Sequence, residues 1–193
     1  PDLAFSDLDN AKALATMGIR AFKDGLASAM TVSMGGPNLD SHGIADYDHL
    51  NELASVFELA SHVVDAGEDE GVAVVVVMTS DFGRTPVREG AGSGHWPVGS
   101  MMVLQNDVAL SLSLLPGNTV VGGTTGAPEG GDDIGDVLQA RRVNPSTLAF
   151  DDSGVLLTPG HVYRLLRRAA GIAEAPELRP FPIIVDGGDL DFG

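Results

Sequence analysis

The chain has 193 residues, of which 44% are hydrophobic and 20% charged, so it can bury a core and is not wholly disordered. This length fits a single domain over residues 1–193. The 11 Lys and Arg residues against 27 Asp and Glu give a net charge of -16, which argues against nucleic acid as a partner because the overall field repels phosphate.

The N-terminal part of the chain predicts two amphipathic helices with a short strand between them. Apolar residues recur at intervals of three and four over Leu8–Leu26 and again over Asp46–Val64, so each segment predicts a helix with one buried face, the second ending near Gly67. Ala29–Met34 predicts a buried strand that leads into the loop Gly35–Gly43. The polar residues of this loop are therefore expected at the C-terminal end of a strand.

The apolar run Val72–Met78 is the clearest strand in the sequence. Its β-branched residues are typical of a parallel strand covered on both faces. The run is far shorter than the roughly 20 residues of a membrane helix, so we expect no membrane span. It leads into the loop Thr79–Pro86 and the glycine-rich segment Gly90–Gly99, and Met101–Leu104 predicts a further strand.

The C-terminal part predicts one more helix after glycine-rich turns. Gly117–Gly126 predicts a tight turn with a short edge strand, and Gly126–Asp136 predicts a surface loop. Thr158 is the expected N-cap of a helix over Pro159–Arg168. The alternation of strands and helices predicts an α/β fold with a mostly parallel sheet flanked by helices, and its ligand site at the C-terminal edge of the strands.

Polar side chains in these loops could bind a metal ion. Asp40 and His42 lie two residues apart, Asp81 follows the run Val72–Met78, and His95 lies in the glycine-rich segment. The chain has no cysteine, so a metal would be bound by nitrogen and oxygen ligands, a set that suits zinc, manganese or a similar ion. The alternative is that the aspartates cap turns and the histidines are ordinary polar loop residues.

Arg84 is a candidate contact for an anionic substrate, because a positive charge beside a metal loop can bind an anion. Its alternative role is an ion pair with one of the many carboxylates. His49, at the start of a predicted helix, is more consistent with a role near the helix terminus than with metal ligation. The sequence contains neither a Walker-type phosphate loop nor a G-x-S-x-G elbow, so no residue is marked as a nucleophile.

Three strings of residues resemble a known family. Thr79-Ser-Asp-Phe-Gly-Arg-Thr-Pro86, followed by Gly94-His-Trp-Pro97, resembles the DUF1501 family of the alkaline phosphatase and sulfatase-like superfamily. Leu39-Asp-Ser-His42 is similar to the Trp-Asp-Thr-His of that family. The likeness covers nearly the whole chain from about Met34.

The resemblance implies an alkaline-phosphatase-like fold and a hydrolase of phosphate or sulfate esters that is exported to the periplasm or beyond. It implies that Asp40, His42, Asp81 and His95 bind a divalent metal, zinc first and manganese, iron or calcium as alternatives. Arg84 is then the contact for an anionic ester or polymer substrate. In the superfamily, such metals polarise the ester and activate a hydroxyl nucleophile.

At three positions in these strings the sequence departs from the pattern of the family or of its superfamily. Phe82 stands where superfamily phosphatases carry a second histidine, Gly94 replaces an Asp, and Leu39 replaces a Trp. The nucleophile and the first metal carboxylate of the superfamily belong to an N-terminal half without a counterpart here. The chain is thus expected to be the C-terminal portion of an incomplete domain, with a homo-oligomer or a missing N-terminal partner chain. The alternative function is a non-catalytic exported scaffold or binding protein with a vestigial metal site.

Overall fold

The computed structural model describes residues 7–35, 39–42, 46–80, 82–89, 92–107, 120–125 and 139–170. The chain divides into two compact units, Pro1–Ser111 and Leu112–Gly193. The helices and strands are, in chain order, α1 (Asp7–Lys23), α2 (Asp46–Glu70), β1 (Val75–Thr79), β2 (Gly83–Glu89), β3 (Gly92–Trp96), β4 (Met101–Gln105) and α3 (Pro159–Ala169). Only α3 belongs to the second unit.

Two features predicted from the sequence lie in parts of the chain that the structure does not describe. Asp81 and the predicted loop Gly126–Asp136 lie outside the described residues. The assignment of residues 1–193 to a single domain stays a prediction. Within the described ranges, no helix is both long enough and apolar enough to cross a membrane.

The prediction of a mostly parallel, alkaline-phosphatase-like sheet flanked by helices is wrong. The described residues form two antiparallel pairs, β1 with β4 and β2 with β3, and no parallel sheet. The second half of the run Val72–Met78 does form a strand, β1, but β-branched composition alone does not determine the direction of the neighbouring strand. Here β2 and β3 fold back on each other between β1 and β4, so β4 returns antiparallel alongside β1.

The predicted strand Ala29–Met34 is also absent, since these residues pair with no other strand. Met30 and Val32 nevertheless pack against the core between the helices. Their apolar character therefore reflects burial against helices and not a place in a sheet. As a consequence, the loop that carries Asp40 does not follow a strand.

Helices α1 and α2 confirm the helical spacing of their sequences. They bury small and branched side chains against each other and against the start of β1, in a cluster of Ala15, Ile19, Val63, Ala66 and Val74. Both helices end in the same way, because Gly25 and Gly71 adopt left-handed backbone with φ of 69° and 66°. The predicted end of α2 near Gly67 is thus one turn short, since Gly71 provides the C-terminal cap.

A buried amide joins α2 to the first strand pair. Asn106, which is 2% exposed, accepts a hydrogen bond from the backbone N–H of Val74 at 3.0 Å and donates one to the carbonyl of Val72 at 2.7 Å. Gly67 lies against the same side chains, and a Cβ there would overlap those of Val74 and Asn106. The packing of α2 on the strand pair therefore depends on a small residue at position 67.

The described part of the second unit is built around Val143, which is fully buried. Its backbone exchanges two hydrogen bonds of 2.9 Å with Val155. Helix α3 begins after Thr158, as the sequence predicts, and its N-terminus is closed by His161. The backbone N–H of Thr158 donates to His161 Nδ1 at 3.0 Å, while the backbone N–H of His161 donates to the carbonyl of Thr158 at 3.0 Å.

Candidate functional site

The β2–β3 hairpin places Arg84 and His95 directly opposite each other. Gly83 pairs with Trp96 and Arg84 with His95, and the register shifts between Arg84 and Arg88. Directly opposite residues of an antiparallel pair have side chains on the same face. Gly83 allows this part of β2 to approach the chain closely at Val98, whose carbonyl oxygen a Cβ at position 83 would overlap.

Asp40 and His42 form a local turn in the loop between the helices. The backbone N–H of His42 donates to Asp40 Oδ1 at 3.2 Å, and the ring Nδ1 lies 2.6 Å from the same oxygen. Such a turn is characteristic of Asp, whose side chain bonds the backbone two residues further on. The D-x-H spacing therefore brings carboxylate and imidazole together without help from a strand.

The guanidinium of Arg84 contacts both members of this pair. Its Nη2 donates to Asp40 Oδ1 at 2.8 Å, and its Nη1 lies 2.9 Å from His42 Nδ1. One ring nitrogen cannot donate to Asp40 and accept from Arg84 at once, so the two short contacts to Nδ1 are not both hydrogen bonds. Hydrogen bonds from the side chain and then the backbone of His42, with a smaller contribution from Arg84, lower the pKa of Asp40 to about 2.

His95 completes the cluster through ring contacts. Its centroid lies 4.6 Å from that of His42 in an edge-on arrangement and 4.0 Å from that of Phe82. Arg84 Cζ lies 5.1 Å from the centroid of Phe82, a cation–π distance. The structure therefore brings together four of the five predicted site residues, Asp40, His42, Arg84 and His95, while Asp81 lies outside the described residues.

The chemistry of this cluster suits a divalent cation. Asp40 Oδ1 and His42 Nδ1 both lie within 3 Å of the guanidinium of Arg84, and the imidazole of His95 lies beside that of His42. Ser41 lies between Asp40 and His42 in the sequence. Its hydroxyl is buried and has no hydrogen-bond partner among the described residues, and a bound ion or water would supply one. Across the same described ranges, no three His, Asp or Glu side chains are already arranged around one point.

The other histidines have neighbours outside this cluster. His62 Nε2 lies 2.9 Å from Thr16 Oγ1 and 3.1 Å from the carbonyl of Lys12, so it links α2 to α1. His161 closes the N-terminus of α3. His49 lies in the first turn of α2.

Comparison with known protein families, with curated proteins and with solved structures finds no match to this chain. The likeness to the DUF1501 family thus remains a resemblance of motifs.

The sequence left two roles open for Arg84, a contact for an anionic substrate and an ion pair with a carboxylate. The structure shows the ion pair, with Asp40, and a further contact near the imidazole nitrogen of His42. Gly90, between the segments that form β2 and β3, was the sequence signal available for a hairpin that pairs Arg84 with His95.

Proposed function

We propose that Asp40, His42 and His95 form a divalent-metal site in a protein that hydrolyses phosphate or sulfate esters. The observation that carries the proposal is the meeting of Asp40 Oδ1 and His42 Nδ1 at one cationic group, with the ring of His95 against that of His42. Zinc fits this nitrogen and oxygen set best, and manganese, iron or calcium are alternatives.

The roles of the individual residues follow from their chemistry. Asp40, His42 and His95 hold the metal, with Asp81 as the further ligand that the family resemblance implies. A metal held in this way acts as a Lewis acid on the ester and lowers the pKa of bound water. The fork of Arg84 suits the oxygens of a phosphate or sulfate group. The motif resemblance supports the reaction class and export from the cytoplasm.

Metal analysis of purified protein tests the site. We expect about one or more equivalents of zinc, manganese or iron in the wild type, and a clear loss in His95→Ala because an imidazole ligand costs much of the affinity. His49→Ala is the matched control, since it removes a histidine on α2 and should leave metal content unchanged. Equal metal content in the wild type and His95→Ala would refute the assignment.

A second candidate function is a non-catalytic exported binding protein with a vestigial metal site. The observation that favours it is the ion pair between Arg84 and Asp40, which neutralises the candidate carboxylate ligand without a metal. The two functions differ in an assay of p-nitrophenyl phosphate and p-nitrophenyl sulfate with added Zn²⁺ or Mn²⁺. Metal-dependent turnover that His42→Ala abolishes supports the hydrolase, and a folded, metal-free, inactive protein supports the binding protein.

A further inference from the structure

We propose that Arg84 competes with the divalent cation for Asp40 and His42, so that metal binds only when the guanidinium leaves this pair. The inference rests on the proposed metal site and adds to it a residue that limits metal affinity. It assigns to Arg84 a role in the metal-free protein that differs from contact with an anionic substrate.

The competition follows from the positions of the guanidinium nitrogens. Nη2 lies 2.8 Å from Asp40 Oδ1 and Nη1 lies 2.9 Å from His42 Nδ1, so the fork spans both candidate ligand atoms. A metal ion held by Asp40 Oδ1 and His42 Nδ1 would use the same two atoms that the fork contacts, so the guanidinium and the ion would exclude each other there. At Nδ1 the competition applies to the tautomer of His42 that carries its proton on Nε2, because only then can Nδ1 accept from Arg84 or bind a metal ion. The like charges of a guanidinium and a divalent cation also repel each other.

The surroundings of Arg84 keep it near the pair. Its side chain is only 20% exposed, whereas that of Asp40 is 62% exposed. Strand pairing with His95 fixes its backbone, and the ring of Phe82 lies under the guanidinium. Arg84 is therefore held close to the ligand atoms, while Asp40 is open to solvent on another side. Displacing the fork requires a rotation of this side chain and no change in the β2–β3 pairing.

Calorimetric titration with Zn²⁺ alone tests the competition. It uses the purified 193-residue protein after any bound metal has been removed. We expect Arg84→Gln to bind Zn²⁺ about three- to tenfold more tightly than the wild type, because both the ion pair and the charge repulsion are gone. Arg84→Lys should also bind more tightly than the wild type, by a smaller factor, because it keeps the charge but loses the two-pronged contact. Arg20→Gln is the matched control for net charge, since Arg20 pairs with Glu70 on the helices and its loss should leave Zn²⁺ affinity near the wild-type value.

The outcomes separate this inference from the proposed function. If Arg84→Gln and Arg84→Lys bind no more tightly than the wild type, while His42→Ala has lost binding, the metal site stands and the competition is refuted. If Arg84→Gln gains affinity but Arg84→Lys and the wild type are equal, only the charge matters and the competition for the ligand atoms is again refuted. If neither the wild type nor Arg84→Gln binds Zn²⁺, the proposed metal site fails and the inference with it. Circular dichroism checks that each variant is folded. If Arg84→Gln does not fold, the Zn²⁺ affinity of Arg84→Lys relative to the wild type tests the competition.

Discussion

At the scale of single residues, the site depends on how closely two backbones approach. Gly83 precedes Arg84 in β2, and a Cβ at this position would overlap the carbonyl oxygen of Val98. A backbone carbonyl cannot rotate away as a flexible side chain can, so the start of β2 must move to accept any larger residue. The position of Arg84 next to Asp40 therefore depends on glycine at position 83, which has no Cβ.

We expect Gly83→Ala to lower the free energy of unfolding by about 1–3 kcal/mol, the usual cost of overpacking. Gly99→Ala is the matched control, since its nearest neighbours would lie 3.6 Å from the new Cβ, an ordinary contact distance. Urea denaturation of the two variants checks the prediction, and equal stability would contradict it.

The residue types of the candidate site could be named from the sequence, but not their mutual contacts. The D-x-H spacing of Asp40 and His42 indicates a local turn, and this turn forms because it needs only three consecutive residues. The contact of Arg84 with the same pair depends on a hairpin more than 40 residues further along the chain. The sequence allowed an ion pair for Arg84, but no short-range pattern identifies Asp40 as its partner.

At the scale of elements, the helices were predictable and the sheet was not. Three- and four-residue spacing identifies the buried face of a helix from the segment alone, and α1 confirms this with Ala11, Ala15 and Ile19. A strand acquires its direction and register from a partner that lies elsewhere in the chain. The run Val72–Met78 shows strand propensity, but its antiparallel pairing with β4 comes from the hairpin inserted between them.

The helix pair predicts a clear contrast between two apolar residues of α1. Ile19 is fully buried between the helices, whereas Leu14 is 57% exposed. We expect Ile19→Ala to lower the free energy of unfolding by about 2–5 kcal/mol, because it removes buried methyl groups and leaves a cavity. Leu14→Ala should change it by less than about 0.5 kcal/mol. Chemical denaturation measures both values, and a similar loss in the two variants would show that the outer face of α1 is covered.

The ion pairs of Glu70 predict a pH dependence of the same helix pair. Hydrogen bonds from Lys23 at 2.6 Å and Arg20 at 3.0 Å hold the pKa of Glu70 below 4.5, with Lys23 the larger cause. A carboxylate whose pKa is lower in the folded state stabilises above its unfolded pKa and loses that contribution as the pH falls through the folded value. Glu70→Gln should therefore be less stable than the wild type at pH 7 and equal to it near pH 2.

Urea denaturation of both proteins across this pH range measures the difference. Glu52→Gln, on the same helix, is the control, because no ion pair of Glu52 occurs among the described residues, and its small effect should not vary in this way with pH. A deficit of Glu70→Gln that is as large at pH 2 as at pH 7 would show that the ion pairs contribute nothing through charge.

At the scale of the whole molecule, the dominant property is the excess of negative charge. The net charge is -16, because the 27 acidic residues outnumber the 11 Lys and Arg residues that could neutralise them. The remaining carboxylates repel one another in the compact state more than in the unfolded chain, because folding brings them closer. Salt shortens the range of this repulsion from about 10 Å at 0.1 M to about 3 Å at 1 M.

Screening predicts that NaCl stabilises this protein. We expect the Tm to rise by several degrees between 0.1 M and 1 M NaCl, since relief of about 1–2 kcal/mol corresponds to a shift of about 2–8 °C at this chain length. Screening also weakens surface ion pairs such as Lys23 with Glu70, but the 27 acidic residues outnumber the 11 Lys and Arg, so repulsion dominates. An uncharged osmolyte at the same osmolality is the control for general exclusion effects, and its Tm shift is subtracted. A Tm that stays constant or falls with NaCl would mean that the attractive pairs outweigh the repulsion, so that the acidic residues are arranged around cations and not merely spread over the surface.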